Sequence, residues 1–298
     1  MAHSTGSAFA SDEDDPEDPA LLRRILGVRL RKLRLAAGIK GDAAGRAIRA
    51  SHSKISRLEA GLVGFRTTDV EDLLTCYGID DPGTRAEFVD LAQRARTSGR
   101  WHLDTDLTPR WLDTYLALED SATLLRTYAP GTIPHLLQTP DYAREVFGIS
   151  HPGCAEDIQR RVEVLEQHQR LLTRADPPRI WVVVEQAALR RQLGGRTIWG
   201  EQLDHLARAA EQPNISVQIM PDHAIGPAIS TVPFTVLRFG ATDLPDIVHV
   251  SHATGAQFLD KRGDVDIYHA LWDRLCVKAI PPERTSDLVT AAADGAPL

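Results

Sequence analysis

Apolar positions in the first third of the chain recur at helical spacing. Leu22, Ile25, Leu26, Val28, Leu30, Leu33 and Leu35 give broad apolar coverage over about 21–37, and Gly38 supplies the stop. Short helices follow over about 42–48 and 52–60, joined by the turn Arg49-Ala50-Ser51 and ended by Gly61. A fourth spans about 67–78, with Thr67 or Thr68 as N-cap and Gly78 as stop. A fifth spans about 82–97, with Pro82 near its first turn.

Residues 98–112 (SGRWHLDTDLTPRWL) read as a linker that becomes ordered, with Trp101 and Trp111 as core or interdomain anchors, the alternative being a ligand-stacking role. Beyond it the pattern is mixed α/β. Helices are expected at about 109–127, 139–147, 155–174, 186–193, 198–212 and 264–278, with Gly194-Gly195 as a turn between two of them. Strands are expected at Ile180–Val184, Ile215–Ile219, Phe234–Phe239 and Ile247–Val250. The first is a continuous apolar run, which predicts burial on both faces; the third alternates, as a half-exposed strand does. The chain therefore divides into an acidic tail over 1–19 expected to be disordered, an all-α helix-turn-helix domain over 20–97, the linker 98–112, and a mixed α/β effector or partner-binding domain over 113–292. The last few residues, after about 293, are also expected to be disordered.

Composition narrows this picture. The 298 residues are 43% apolar and 25% charged, as in a folded soluble protein. No run of about 18 apolar residues predicts a membrane span, and the acidic N-terminus lacks the apolar core of a signal peptide. Cys76, Cys154 and Cys276 form no CxxC pair and suggest neither a disulfide framework nor a structural zinc site, which fits a reducing cytoplasm. The net charge of -7 hides an asymmetry. Residues 1–20 hold six acids and no Lys or Arg, whereas 21–66 hold twelve Lys/Arg against two acids. A basic block in an acidic protein points to a localised polyanion site.

That block contains the second helix of the helix-turn-helix, which is sized for the DNA major groove. Ala44 and Ala47 are small where the two helices pack closely, and Ile48, Ile55 and Leu58 supply the apolar contacts between them. Ser51, Ser53, Lys54 and Arg57 lie near the N-terminal half of helix three, the half that normally meets base edges. Ser51 is either a DNA contact or an N-cap. Lys54 and Arg57 either read guanine or bind phosphate, and Ser56 goes either way. Glu59 is expected to be a structural partner for a nearby Arg. The candidate DNA-binding set is Lys40, Ser51, His52, Ser53, Lys54, Ser56, Arg57 and Arg66.

The stretch 26–61, above all Ser53-Lys54-Ile55-Ser56-Arg57-Leu58-Glu59-Ala60-Gly61, resembles the lambda-repressor-like, XRE-type helix-turn-helix. The remainder is similar to the C-terminal domain of unknown function found behind this head in many actinobacterial regulators. The likeness rests on Arg126–Pro134, Leu136–Ala143, Pro177–Trp181, Ala187–Arg191, Pro213–Pro221, Pro233-Phe234-Thr235 and His252–Gly255. The resemblance implies an antitoxin-type transcriptional regulator, autoregulation of a shared operon, and a small partner protein encoded nearby. Three departures stand out. Gly41-Asp42 occupy the place of a polar residue, usually Gln, that reaches a phosphate. Glu185-Gln186 and Ser251 stand where the family commonly has an acidic pair and an acid. Ile229-Ser230-Thr231-Val232 replace a Gly-rich segment.

Signs of chemistry in the second domain are sparse. His249-x-x-His252 could share a metal, but no third ligand has convincing spacing, so ordinary histidines are the default and no metal site is expected. There is no GxSxG, HExxH or Walker loop. Glu185, at the end of a buried strand, either caps the next helix or faces a pocket. The expectation is a non-enzymatic, cofactor-free, cytoplasmic regulator, nucleoid-associated when bound. It would act as a homodimer on a near-palindromic double-stranded operator, through half-sites about 34 Å apart. The alternative is an antitoxin-like interaction module that neutralises a small partner, with DNA autoregulation secondary.

Overall fold

The leucines that set the helical period of the N-terminal segment form its core. In the computed structural model, which describes residues 19–96, 110–150, 153–224, 232–240, 244–252 and 255–293, the chain divides near residue 100 into two compact units. In the first, α1 (Pro19–Ala36) buries Leu22, Leu26 and Leu30 in one cluster with Ile55, Leu58, Val70, Leu73, Leu74, Phe88 and Leu91. These come from α3 (His52–Glu59), α4 (Thr67–Cys76) and α5 (Pro82–Arg94), while α2 (Gly41–Ala47) adds Ala44. Gly38 ends α1 at φ +68°, with Ile39 N–H returning to the Arg34 carbonyl. Arg66, not Thr67 or Thr68, holds the N-cap position of α4, and its side chain makes no cap bond; Thr67 is already helical. The tail 1–18 and most of the 98–112 segment, with Trp101, lie outside the described residues, as do 294–298.

Two glycines let the head close. A Cβ at Gly27 would stand 2.5 Å from the carbonyl oxygen of Glu59 and 2.6 Å from that of Leu58, so α1 meets the end of α3 backbone to backbone. A Cβ at Gly45 would stand 2.6 Å from the Ala50 carbonyl oxygen, which fixes the α2–α3 turn.

The second unit is built on a six-stranded sheet in the order β3-β2-β1-β4-β5-β6. The strands are β1 (Ala122–Ala129), β2 (Arg179–Glu185), β3 (Ile215–Met220), β4 (Phe234–Phe239), β5 (Ile247–His252) and β6 (Gly255–Leu259). The first three are mutually parallel and the rest antiparallel. Strand β2 is flanked on both sides and buried, as its apolar run requires. Strand β4, expected to be half-exposed, is buried at five of six positions because helices cover both faces of the sheet. Residues 122–127, expected to continue a helix, are instead β1. Helix α6 (Arg110–Ser121) stops where Ser121 bonds back to the Ala117 carbonyl, and the chain enters the sheet between β2 and β4 at once. Strand β6 and α12 (Thr285–Ala293) were not foreseen.

The sheet register sorts side chains onto two faces. Val183, Tyr128, Phe234 and Val250 stand opposite one another and pack with Trp272 and Leu275 of α11 (Arg262–Lys278). One residue along, Val182, Thr127, Thr235, His249 and Phe258 form the next row, which faces the other way. There α6 lies against β1 and β4. Helix α8 (Ala155–Gln169) packs on α7 (Pro140–Ser150) and on the 3-10 turn His135–Leu137. Helices α9 (Gln186–Arg190) and α10 (Gly195–Ala210) follow β2.

Gly27→Ala should lower the stability of the head by about 1–3 kcal/mol, since backbone cannot yield to the added methyl as a side chain would. All five tryptophans lie beyond residue 100. Urea unfolding followed by circular dichroism should therefore show an earlier head transition while the tryptophan-fluorescence transition stays put. An unshifted dichroism curve would refute the close crossing.

Candidate functional site

The exposed face of α3 is built from its N-terminus. Ser51 caps the helix, its Oγ accepting from Lys54 N–H at 3.2 Å. His52, Ser53, Ser56 and Arg57 then form one exposed stripe, while Ile55, Leu58 and Glu59 face inward. Arg57 engages no described side chain. Lys54 is different: it is 36% exposed, and its ammonium lies 3.3 Å from Asp69 Oδ2 in the first turn of α4. That ion pair braces α3 against α4. Lys40 and Arg66 are exposed at the N-cap positions of α2 and α4. Glu59 is the structural partner expected of it, taking a two-pronged bond from Arg34 with Nη2–Oε2 at 2.8 Å. The His52 ring occupies the space a side chain at Gly41 would fill, 2.4 Å from a Cβ built there.

In the second unit, Trp111, Tyr115 and Glu119 recur every four residues along one face of α6 and meet the Thr127–Thr235–His249 row. Tyr115 stacks on His249 with ring centroids 4.0 Å apart, and Trp111 lies 5.7 Å from the same ring. The Tyr115 hydroxyl donates to Glu119 Oε1 at 2.8 Å. The other carboxylate oxygen, Oε2, is met by His135 Nε2 at 2.9 Å and His168 Nε2 at 2.7 Å. Burial pushes the Glu119 pKa up, but the two histidines outweigh it and hold the carboxyl well below its usual range. Burial likewise pulls His135 down, and the carboxylate outweighs it to leave that imidazole raised.

Side-chain amides hold the segment that delivers His135. Gln138 Nε2 donates to the Ile133 carbonyl, Gln169 Nε2 to those of His135 and Gln138, and Gln202 Nε2 to that of Leu137, all between 2.7 and 2.9 Å. These bonds let an irregular segment stay buried. A cavity of about 530 Å³ opens beside it, lined by Tyr115, Thr127, residues 128–135, Thr235, His249 and Ser251 among others. A second, of about 190 Å³, is lined by Trp111, Tyr115, His135, Phe147, Leu165 and His168. Tyr115 and His135 border both.

The His249-x-x-His252 pair does not act together. Strand alternation sends the two rings to opposite faces, with His249 buried and His252 exposed. Glu185 occupies the N-cap position of α9 without capping it and accepts instead from the Tyr128 hydroxyl. The sequence reading missed Tyr115, Glu119, Thr127, His135, His168 and Thr235. Only the four-residue spacing of Trp111, Tyr115 and Glu119 was a usable signal.

His249 gives a pH prediction. Burial brings its pKa down to about 4; Glu119 pulls the other way and His135 adds to the lowering. The folded protein therefore keeps His249 neutral while the unfolded chain takes a proton below about pH 6.5. Stability is full above that pH and is lost as pH falls toward 4, by roughly 3 kcal/mol from this group alone. His249→Leu should flatten that decline in fluorescence-monitored unfolding between pH 6.5 and 4.5. Parallel declines in both proteins would show that the ring is not held neutral.

Among the described residues, no helix is long and apolar enough to cross a membrane. No curated protein and no solved structure matches the chain. Residues 25–88 match a helix-turn-helix domain, which makes the head a DNA-binding domain. Residues 112–291, more than half of the chain, match a domain of unknown function (DUF5753), and the chain accordingly belongs to that family, carrying the helix-turn-helix domain ahead of it.

Proposed function

We propose that the protein is a sequence-specific transcriptional regulator that acts as a dimer on a near-palindromic operator. In this reading the second unit receives a small effector and performs no reaction. The observation that carries the DNA reading is the outer face of α3: a capped, basic-flanked helix whose exposed stripe of His52, Ser53, Ser56 and Arg57 is left over after the core and the Arg34–Glu59 fork are satisfied. Arg57 suits base readout because its guanidinium is uncommitted, whereas Lys54 must first leave Asp69. Lys40 and Arg66, at the starts of two helices, suit phosphate, where amide N–H groups also point at an anion. Effector binding is supported by a cavity of about 530 Å³, within the range typical of ligand sites, that is mostly apolar with a few converging polar groups.

The test is binding of the full-length protein to its own upstream DNA across a salt series, with scrambled DNA alongside. Each head should neutralise on the order of three to five phosphates, giving a steep salt slope. Arg57→Ala should lose about 1–3 kcal/mol of discrimination between the two DNAs without a change in melting temperature. Lys54→Ala should lose less discrimination and some head stability. Equal affinity for both DNAs in the wild type, or undiminished discrimination in Arg57→Ala, would overturn the assignment of α3 as the reading helix.

A further inference from the structure

Three ligand-type side chains from three separate segments converge inside the second unit. Glu119 comes from α6, His135 from the 3-10 turn and His168 from α8, and one donor atom of each lies within 4.8 Å of the other two. Glu119 and His168 side chains are each 1% exposed, and His135 is 33% exposed. The two rings lie nearly parallel, 15° apart, with both Nε2 atoms directed at a single oxygen, Glu119 Oε2. Among the described residues no lysine or arginine pairs with this carboxylate. An ionised carboxyl at such depth needs a compensating positive charge. A single divalent cation among the three donor atoms would satisfy all three side chains together.

The donor set has the right chemistry. Two imidazole nitrogens and one carboxylate oxygen form the three-ligand set of open zinc sites and of non-haem iron sites. With bonds of about 2.0–2.1 Å, tetrahedral ligand atoms stand roughly 3.3 Å apart. The 2.7 and 2.9 Å contacts to Oε2 would need to open by about half an ångström, and the two ring nitrogens, which lie within 4.8 Å of each other, to settle at the same spacing. The outer support is also in place. Tyr115 holds Oε1, which leaves Oε2 to the cation, and Gln169 pins the backbone of His135. His135 borders both cavities and His168 the smaller one, so both cavities reach this cluster. In the larger cavity, His249 Nε2 is buried with no hydrogen-bond partner among the described residues and is available to a ligand bound there.

We propose that Glu119, His135 and His168 bind one divalent transition-metal ion, zinc in the first instance, with open positions that accept water or an anionic oxygen of a ligand in the cavity. This deepens the reading of the cavity as the effector site and rests on it for the second half of the statement only. The test uses the full-length protein, stripped with a chelator and titrated with Co²⁺ and then Zn²⁺. One Co²⁺ per chain should bind with visible ligand-field bands of low-symmetry four- or five-coordination, and Zn²⁺ should displace it.

Glu119→Gln and His135→Ala should each abolish the bands and weaken binding by more than about a hundredfold, since loss of an outer-shell partner alone costs roughly ten- to a hundredfold. Tyr115→Phe should fall in that smaller range. Tryptophan fluorescence checks that each variant is folded, and if none is, the wild-type spectrum decides. No one-to-one cobalt spectrum in the wild type overturns the proposal. So does an unaltered spectrum in folded His135→Ala, which would place the ion on others of the eleven histidines. Operator binding is read separately, so a chain that binds its operator and no metal loses this site and keeps the regulator reading.

Discussion

A single carboxylate organises the second unit. Glu119 is a formal charge in the protein interior, where desolvation opposes ionisation and an unpaired charge would cost several kcal/mol. It is held charged because donors from three segments reach it. Tyr115 comes from one turn earlier on α6, His135 from the segment after β1, and His168 from the end of α8, while Thr235 of β4 stands behind the tyrosine at 3.5 Å. Each donor also has a packing role. Tyr115 lies on His249, so the helix that carries the carboxylate is seated on the sheet by the residue that bonds it. Moving any one of these groups leaves either a charge without a partner or a ring without its stack. The cavities are what remains beside this fixed cluster, and Tyr115 and His135 stand with Phe147 on the border they share.

The head solves a smaller version of the same problem by bringing backbones together. Its helix α3 is only eight residues long, too short to be stable from propensity alone. It is held by close approach to α1 at Gly27, by the Arg34–Glu59 fork and by the bond from Arg24 to the Ala60 carbonyl. All three act on its inner side or C-terminal end. The outer stripe therefore carries almost no structural duty.

How much of this the sequence disclosed follows from the range of the interactions involved. The five head helices were legible because caps, glycine stops and a 3.6-residue period are local. Strand β1 was not: residues such as Leu124, Leu125 and Tyr128 fit either period, and it is pairing with β2 on one side and β4 on the other that decides. Strand β6 lies at the sheet edge and has no fully buried residue to announce it. The reach of Lys54 to Asp69 was hidden because it spans two helices. The Glu119 cluster was hidden most deeply. His135 and His168 are 16 and 49 positions away from the carboxylate, and the Thr127–Thr235–His249 row exists only once the register is set.

The buried cluster also limits how an effector could act. A ligand shifts a conformational equilibrium only as far as its affinity differs between the two states, whatever its absolute affinity. Contacts to the apolar walls of the cavity change gradually with small movements and discriminate weakly between states. Contacts to Glu119, His135 or a cation between them discriminate strongly, because an interior charge is either compensated or not. His135, which borders both cavities and bonds Glu119, is therefore the side chain through which occupancy has the greatest energetic effect on α6, the 135–137 turn and α8. By linkage the effect is reciprocal: if effector occupancy alters operator affinity by some factor, operator DNA must alter effector affinity by the same factor. That equality is a stricter demand on a sensory role for this cavity than the detection of ligand binding alone.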